Sequence, residues 1–350
     1  MAVASWALWA LGAMASYATN NFLLGAIGET AKDKADANIS AIFIVWLVAG
    51  LCGAFALARH VSKEKSMPAL DGTRKTPAIL AAIGVLIAGA MFSLSLALAT
   101  DPASAGPITA MLPLNSLIVA SLSWKIFGES LGVQQLLGMC IAIAGPVCMA
   151  LADMSGNALL GLMFGAFTAC VFGFSNFLRK WVAKSRGCNN QSILIYLLVI
   201  MGVCAAICIV FCFLIGRGLK GLDTFWLVVY AIGSGLLWTS GTLCFQYALA
   251  GLAGPASAIA NTNSVGVLLL DVIFFHPTLQ PLKLVGMSLC VTGCAVLSLA
   301  KPKAPSAPAD LEARDSMATS LQKPSEAYDY PQARDGMITP SQKPSEARFS

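Results

Sequence analysis

Residues 106–152 read GPITAMLPLNSLIVASLSWKIFGESLGVQQLLGMCIAIAGPVCMALA, and residues 254–300 read GPASAIANTNSVGVLLLDVIFFHPTLQPLKLVGMSLCVTGCAVLSLA. The two align without a gap at one offset of 148: Gly106-Pro107 recurs as Gly254-Pro255, Asn115-Ser116 as Asn263-Ser264, Gly138-Met139 as Gly286-Met287, and Gly145 as Gly293. The chain is a duplication in an almost wholly apolar setting. Inside a membrane, internal repeats of this kind are a recurring basis of transporter folds.

The match continues outward once small insertions are allowed. Asn38, Ser40, Gly50, Cys52 and Ala54 correspond to Asn190, Ser192, Gly202, Cys204 and Ala206 at an offset of 152. Asn21-Phe22-Leu23 corresponds to Asn176-Phe177-Leu178 at an offset of 155, and Ala97-Leu98-Ala99 to Ala248-Leu249-Ala250. With 57% hydrophobic residues, 11% charged and a mean hydropathy of +0.75, the chain has too little polar surface to cover a soluble globule. A membrane-crossing helix needs roughly 20 mostly apolar residues. Ten such runs are predicted, at 3–27, 38–58, 76–99, 104–127, 131–152, 157–180, 191–215, 224–250, 254–275 and 280–300. The first begins almost at Met1 without a basic leader and carries Asn20 and Asn21, so it reads as a span rather than a cleaved signal.

Each repeat holds five runs. An odd number makes the second repeat enter the membrane from the opposite side. The expected fold is an all-α integral membrane protein with ten transmembrane helices arranged as a 5+5 inverted repeat. Its units are residues 1–152, 153–302 and a tail, 303–350, whose Pro, Ser, Ala, Lys and Glu composition predicts disorder. The tail has its own duplication, Gln322-Lys323-Pro324-Ser325-Glu326-Ala327 recurring at Gln342, and reads as a solvated spacer.

The net charge of +5 matters through its distribution. One predicted side, including Arg59, Arg74, Lys125, Arg179, Lys180 and Lys184, carries 12 Lys and Arg, against 5 on the other. The positive-inside rule then places both termini in the cytosol and accounts for the basic clusters without a nucleic-acid partner. No address in the tail chooses between plasma membrane and organelle. Asn38-Ile-Ser40 is a glycosylation sequon on the outer side but crowded against a span. Of 11 cysteines only Cys188 falls in a loop, so neither a disulfide framework nor a metal site is implied. Cys204, Cys208 and Cys212 share one helix face and read as small packing residues.

Gly106-Pro107, Asn115 and the run Phe127-Gly128-Glu129-Ser130-Leu131 leading to Gln135, Gly138 and Gly145 resemble the drug/metabolite transporter superfamily, specifically its EamA-like members. In the second repeat His276-Pro277 replaces the Gly-Glu pair. The resemblance implies ten helices, cytosolic termini, a central cavity lined by spans 1, 3, 4, 6, 8 and 9, and alternating access. It leaves the substrate open, because members carry many kinds of small molecule.

Polar groups in hydrocarbon are costly unless they face a cavity or each other. Asn115 and Asn263, near the middle of spans 4 and 9, are the first candidate substrate contacts, with Ser264 beside the second; tying the two helices together is the competing role. Asn20 and Asn21 stand toward one end of span 1 and Asn176 toward the opposite end of span 6; Tyr17, Trp238, Gln246 and Tyr247 complete a candidate path. Asp271 is the acidic residue placed inside a span, a candidate for proton coupling or an interfacial carboxylate. Arg179 and Lys180 read as the cytosolic end of span 6. With no cation expected near the midplane, the expected cargo is a small neutral or zwitterionic metabolite. A nucleotide sugar or other anion is the alternative if Lys125, Arg179 or Lys180 borders the path.

No cofactor is implied. An intramembrane enzyme lacks a catalytic constellation, since the only histidines are His60 and His276. A cation channel lacks a ring of carboxylates at its mouths, and a non-transporting sensor stays open. The expected partners are a small-molecule substrate, the lipid bilayer and, through Gly161-x-x-x-Gly165, a second copy of the chain; internal packing explains that pattern equally well.

Overall fold

Proline at residue 113 has no amide hydrogen to give a preceding turn, and the chain there makes one 3-10 turn, Leu112–Leu114, before a helix begins at Asn115. The computed structural model describes residues 5–68, 70, 75–100, 112–129, 131–151, 158–251, 253–275 and 281–299. Among these, every regular element is helical. In chain order they are α1 (Ser5–Thr30), α2 (Lys34–Glu64), α3 (Lys75–Thr100), α4 (Asn115–Phe127), α5 (Val133–Leu151), α6 (Ala158–Ser185), α7 (Asn190–Leu214), α8 (Phe225–Leu249), α9 (Ala253–Asn261), α10 (Asn263–Phe275) and α11 (Pro281–Leu299). Met1–Lys303 forms one compact unit. The tail, Gly106-Pro107 and His276-Pro277 lie outside the described residues.

Five of the helical stretches are long and apolar enough to cross a membrane: Lys34–Glu64, Lys75–Ser95, Asn190–Leu214, Phe225–Leu249 and, through a break, Ala253–Phe274. The polarity of the bundle is inside-out. Phe55, Phe211, Leu214 and Phe274 stand exposed, while Asn20, Asn115, Arg179 and Gln246 are buried. Such a surface is stable against lipid rather than water.

Several helices outrun the hydrophobic stretches that announce them. α2 continues through Arg59 and Lys63 to Glu64, and α6 through Arg179, Lys180 and Lys184 to Ser185. Lys, Arg and Ala are good helix formers, so a change of polarity ends a membrane span without ending the helix. Caps end the helices instead. Asp33 accepts from the Asp36 amide at the start of α2, Asn189 accepts from Gln191 at the start of α7, and Gly128 closes α4 with a left-handed φ of 62°. The Gln135 side chain reaches back to the Gly132 amide at 3.0 Å, fixing the start of α5. The sequon lies inside α2, where Ser40 is buried and donates to the Lys220 carbonyl at 2.8 Å.

Small residues set the closest helix approaches, as is usual where lipid removes the hydrophobic drive to associate. α2 crosses α7 where Gly50 meets Gly202; a Cβ on Gly202 would sit 2.6 Å from the Gly50 Cα. α5 packs along α11, α1 along α8, and α3 along α6. α6 meets α4 where Gly173 faces Ile118, and α1 meets α10 where Ala18 faces Gly266. An apolar core between α2, α3 and α7 contains Trp46, Leu80, Ile83, Leu197 and Met201, with Cys204, Cys208 and Cys212 packed against it.

Candidate functional site

Asn115 and Asn263 each begin a helix after a break, Asn115 following the 3-10 turn and Asn263 following Thr262 between α9 and α10. The physical cause differs in the two repeats. Pro113 lies in the 3-10 turn that precedes Asn115, whereas at its counterpart, Asn261, α9 ends and the side-chain amide donates back to the Ser257 carbonyl at 2.6 Å. Thr262 does the same to the Ile259 carbonyl at 2.7 Å. Short polar side chains that bond their own backbone compete with the helix ladder, and here they win.

The breaks are knit together across the duplication. Asn115 Oδ1 accepts from Ser257 Oγ at 2.7 Å and from Asn261 Nδ2 at 2.9 Å. Asn115, Ser257, Thr262 and Asn263 are all buried. Thus Asn115 has the helix-tying role, through Ser257 and Asn261. The Ser264 hydroxyl is buried without a hydrogen-bond partner, so it can serve a further group.

A second polar cluster surrounds Phe245. Arg179 projects from α6, 3% exposed, with its guanidinium 5.6 Å from the Phe245 ring centroid. Its Nε donates to Gln246 Oε1 at 2.8 Å and Nη1 to Asn176 Oδ1 at 3.5 Å, while Nη2 is buried with no partner. Gln246 Nε2 donates onward to Asn190 Oδ1 at 3.2 Å. Tyr17 lies edge-on to the same ring at 6.4 Å, and its hydroxyl is 3.3 Å from that of Thr242. The sequence candidates Tyr17, Asn176 and Gln246 therefore meet in one place, around a cation expected at the rim.

Lys180, next along α6, is equally buried. Its ammonium donates to Glu129 Oε2 at 2.6 Å and to the Gly251 carbonyl at 3.0 Å, tying α6 to the turn after α4 and the turn after α8. Lys184, half-exposed, reaches Glu129 Oε1 at 3.2 Å. Helical side chains lean toward the helix N-terminus, so residues in the last turns of α6 project back into the bundle. Hydropathy alone misses this. Lys125 is exposed and takes no part.

The third cluster is away from the charges, on the α1–α8 contact. Asn20 is buried within 2.6 Å of Ser234 Oγ and 2.9 Å of the Asn21 amide, an arrangement the serine hydroxyl satisfies in either orientation of the Asn20 amide. Nearby in the sequence of this end, Arg217 pairs with Asp36, whose carboxylate holds the guanidinium above its ordinary value by hydrogen bond and charge. Trp238 belongs to the apolar core, and Tyr247 stacks on Trp9 at 5.1 Å on the outer surface. Asp271 is in α10, with its side chain outside the described residues. Among the described residues no group of three or more His, Cys, Asp or Glu could hold a metal ion.

Ser257, Asn261, Glu129, Ser234 and Thr242 are the members that residue patterns did not single out as site residues, and Arg179 and Lys180 entered only on the condition that they border the path. Signals were available for three of these: Glu129 sits in the turn motif, and Arg179-Lys180 ends a span that stays helical. The expectation of a neutral or zwitterionic cargo took Arg179 and Lys180 for the polar end of span 6; in the structure both side chains are buried.

Comparison with known proteins follows from this geometry. Residues 4–151 match the EamA-like transporter family, which bears out the resemblance to the drug/metabolite transporter superfamily and makes the chain a multi-pass membrane protein. No curated protein matches the chain. Among solved structures 28 chains match. One, a crystal structure of another protein, superposes with a TM-score of 0.62 at 19% identity, over 85% of this chain and 98% of that one. Identity that low establishes a shared fold alone.

Proposed function

We propose that this EamA-like chain is a secondary transporter that moves a small polar metabolite across a membrane by alternating access. The observation that carries the reading is that the repeat-equivalent asparagines, Asn115 and Asn263, each start a helix after an irregular turn and are both buried. Transporters built from repeats bind cargo and coupling ions at such discontinuities, where the helix ladder has released polar groups.

In this reading the fold is the ten-span 5+5 inverted repeat, with α9 and α10 forming one broken span. Contacts between equivalent positions support it. Gly50 and Gly202 correspond at an offset of 152 and touch each other. Ala18 becomes Gly173 at an offset of 155 and Ile118 becomes Gly266 at 148, so the Gly173–Ile118 and Ala18–Gly266 approaches are one contact made twice. A two-fold relation produces this pattern of self-pairing and exchanged pairs. The charge asymmetry supports a topology with both termini, and with them Glu129, Lys180 and Gly251, on the cytosolic side. The equivalents of Lys180 and Glu129 at the other mouth are Gly25 and Pro277. The Lys180–Glu129 pair thus has no sequence equivalent there, where Arg217 pairs with Asp36 instead, and in this reading opening to the cytosol parts Lys180 from Glu129.

The test is uptake into proteoliposomes with labelled amino acids, sugars, nucleosides and nucleotide sugars. The expected result is saturable flux with counter-transport, reduced roughly 5- to 100-fold in Asn115→Ala, the range of one lost buried hydrogen-bond set, and comparably in Asn263→Ala. Flux that does not saturate and tolerates both substitutions in folded protein would favour a channel and overturn the proposal.

A further inference from the structure

We infer that the cargo carries a single negative charge, a carboxylate, and that Arg179 is its anchor. This rests on the carrier reading above and names its substrate class. The argument starts from cost. A guanidinium stays charged at any physiological pH, and burying one is expensive unless its donors are used and its charge is answered. Arg179 is buried at 3% exposure, yet its hydrogen-bond partners, Gln246 and Asn176, are neutral amides. The Phe245 ring beneath it supplies a weak electrostatic attraction. Among the described residues no carboxylate pairs with it, and Tyr17, which shares the Phe245 ring with it, is a phenol neutral at physiological pH.

The arrangement is incomplete in a specific place. Nε and one Nη1 hydrogen are engaged, and Nη2 is buried without a partner. What is left is Nη2, the arm of the fork whose N–H groups are free to donate to a carboxylate oxygen. Gln246 and Asn176 hold the plane of the fork, and Gln246 is itself held by Asn190. The hydroxyls of Tyr17 and Thr242, linked to each other beside the same ring, offer exchangeable donors to the rest of the cargo.

Charge counting selects one negative charge over two. The other buried cation, Lys180, spends its charge on Glu129 and a further donor on Gly251. Lys184 is half-exposed and bonded to the same carboxylate. Among the described residues Arg179 is therefore the buried cation with no carboxylate on it, enough for one carboxylate and too little for a phosphate dianion. An amino acid satisfies this as a zwitterion.

The experiment uses the full chain, purified in detergent and in proteoliposomes. Probe pairs differ in the acid group alone: lactate and lactamide, phenylalanine and phenylalaninamide, glucuronate and glucuronamide; glucose 6-phosphate supplies the dianion. Expected is stabilisation against heat, and inhibition of any saturable uptake, by at least one carboxylate and not by its amide or by glucose 6-phosphate. Arg179→Gln should raise the half-effective carboxylate concentration roughly 10- to 100-fold, the range for a hydrogen bond to a charged group. Arg179→Lys should recover part of that loss, keeping the charge but not the fork. Lys125→Gln, which removes an exposed charge, should leave the preference unchanged. Equal action of acids and amides on the wild type, action of the phosphate alone, or no action of any probe would overturn the anchor, and these wild-type readings stand even if Arg179→Gln does not fold. A carboxylate preference that survives Arg179→Gln would also overturn it. Saturable flux of neutral compounds without a carboxylate effect sinks the anchor and spares the carrier; carboxylate stabilisation without flux does the reverse.

Discussion

Glu129→Gln is expected to destabilise the purified protein by about 3–5 kcal/mol, the cost of leaving a buried charge without its counter-ion. Among the described residues Glu129 is the one carboxylate on Lys180, whose side chain is 3% exposed, and the contact is 2.6 Å long. A glutamine keeps the shape and one acceptor but removes the charge, so Lys180 is left desolvated with neutral partners. Lys184 adds little to this, being half-exposed. The double variant Glu129→Leu with Lys180→Met should recover most of the loss, because well-packed apolar groups commonly replace a buried pair at little cost. Denaturant titration in detergent measures both. A Glu129→Gln protein as stable as the wild type would mean that water reaches Lys180 and that the pair is not a buried one. In transport, the same substitution should favour opening toward the cytosol, read as faster labelling of a cysteine placed at that mouth.

The second large effect is expected at the crossing of α2 and α7. Gly50→Ala or Gly202→Ala inserts a methyl group into the other glycine's backbone. No flexible side chain can give way there, so the helices must separate, at a cost near the upper end of overpacking, about 3 kcal/mol. The pair should be non-additive, since the first substitution already opens the crossing that the second needs. Gly25→Ala and Gly89→Ala provide the contrast. Both lie within helices with nothing within 4 Å of the added Cβ, and alanine should stabilise by up to about 1 kcal/mol through helix propensity. Were all four substitutions to behave alike, the close approach at Gly50 and Gly202 would not be a feature of the folded protein.

Two sequence signals proved more local than they looked. Span 4 and span 9 read as continuous apolar helices because hydropathy averages over a window, and one Pro113 or the run Asn261-Thr262-Asn263 barely moves that average. The irregular turns depend on individual residues, Pro113 before Asn115 and Asn261, bonded to Ser257, before Asn263. Likewise, Arg179 and Lys180 read as a span's polar end because a transfer scale prices each residue against water or lipid, not against a particular neighbour. Their neighbours are far away in the chain: Gln246 is 67 residues on and Glu129 is 51 residues back.

What the sequence determined by itself was whatever repeats or averages. The excess of apolar residues made the chain a membrane protein, and the gapless match between residues 106–152 and 254–300 exposed the duplication and marked Asn115 and Asn263 as equivalents. The glycines that meet between α2 and α7 were legible as a matched pair, though not as a contact. Tertiary structure alone decided which polar groups meet. It joined Asn115 to Ser257, 142 residues away, and set Arg179 beside Gln246 and Phe245 with one donor to spare. The reason is physical. Hydropathy and helical period are properties of a residue and its near neighbours, whereas answering a buried charge depends on where separate helices cross, and that is fixed only when the whole bundle packs.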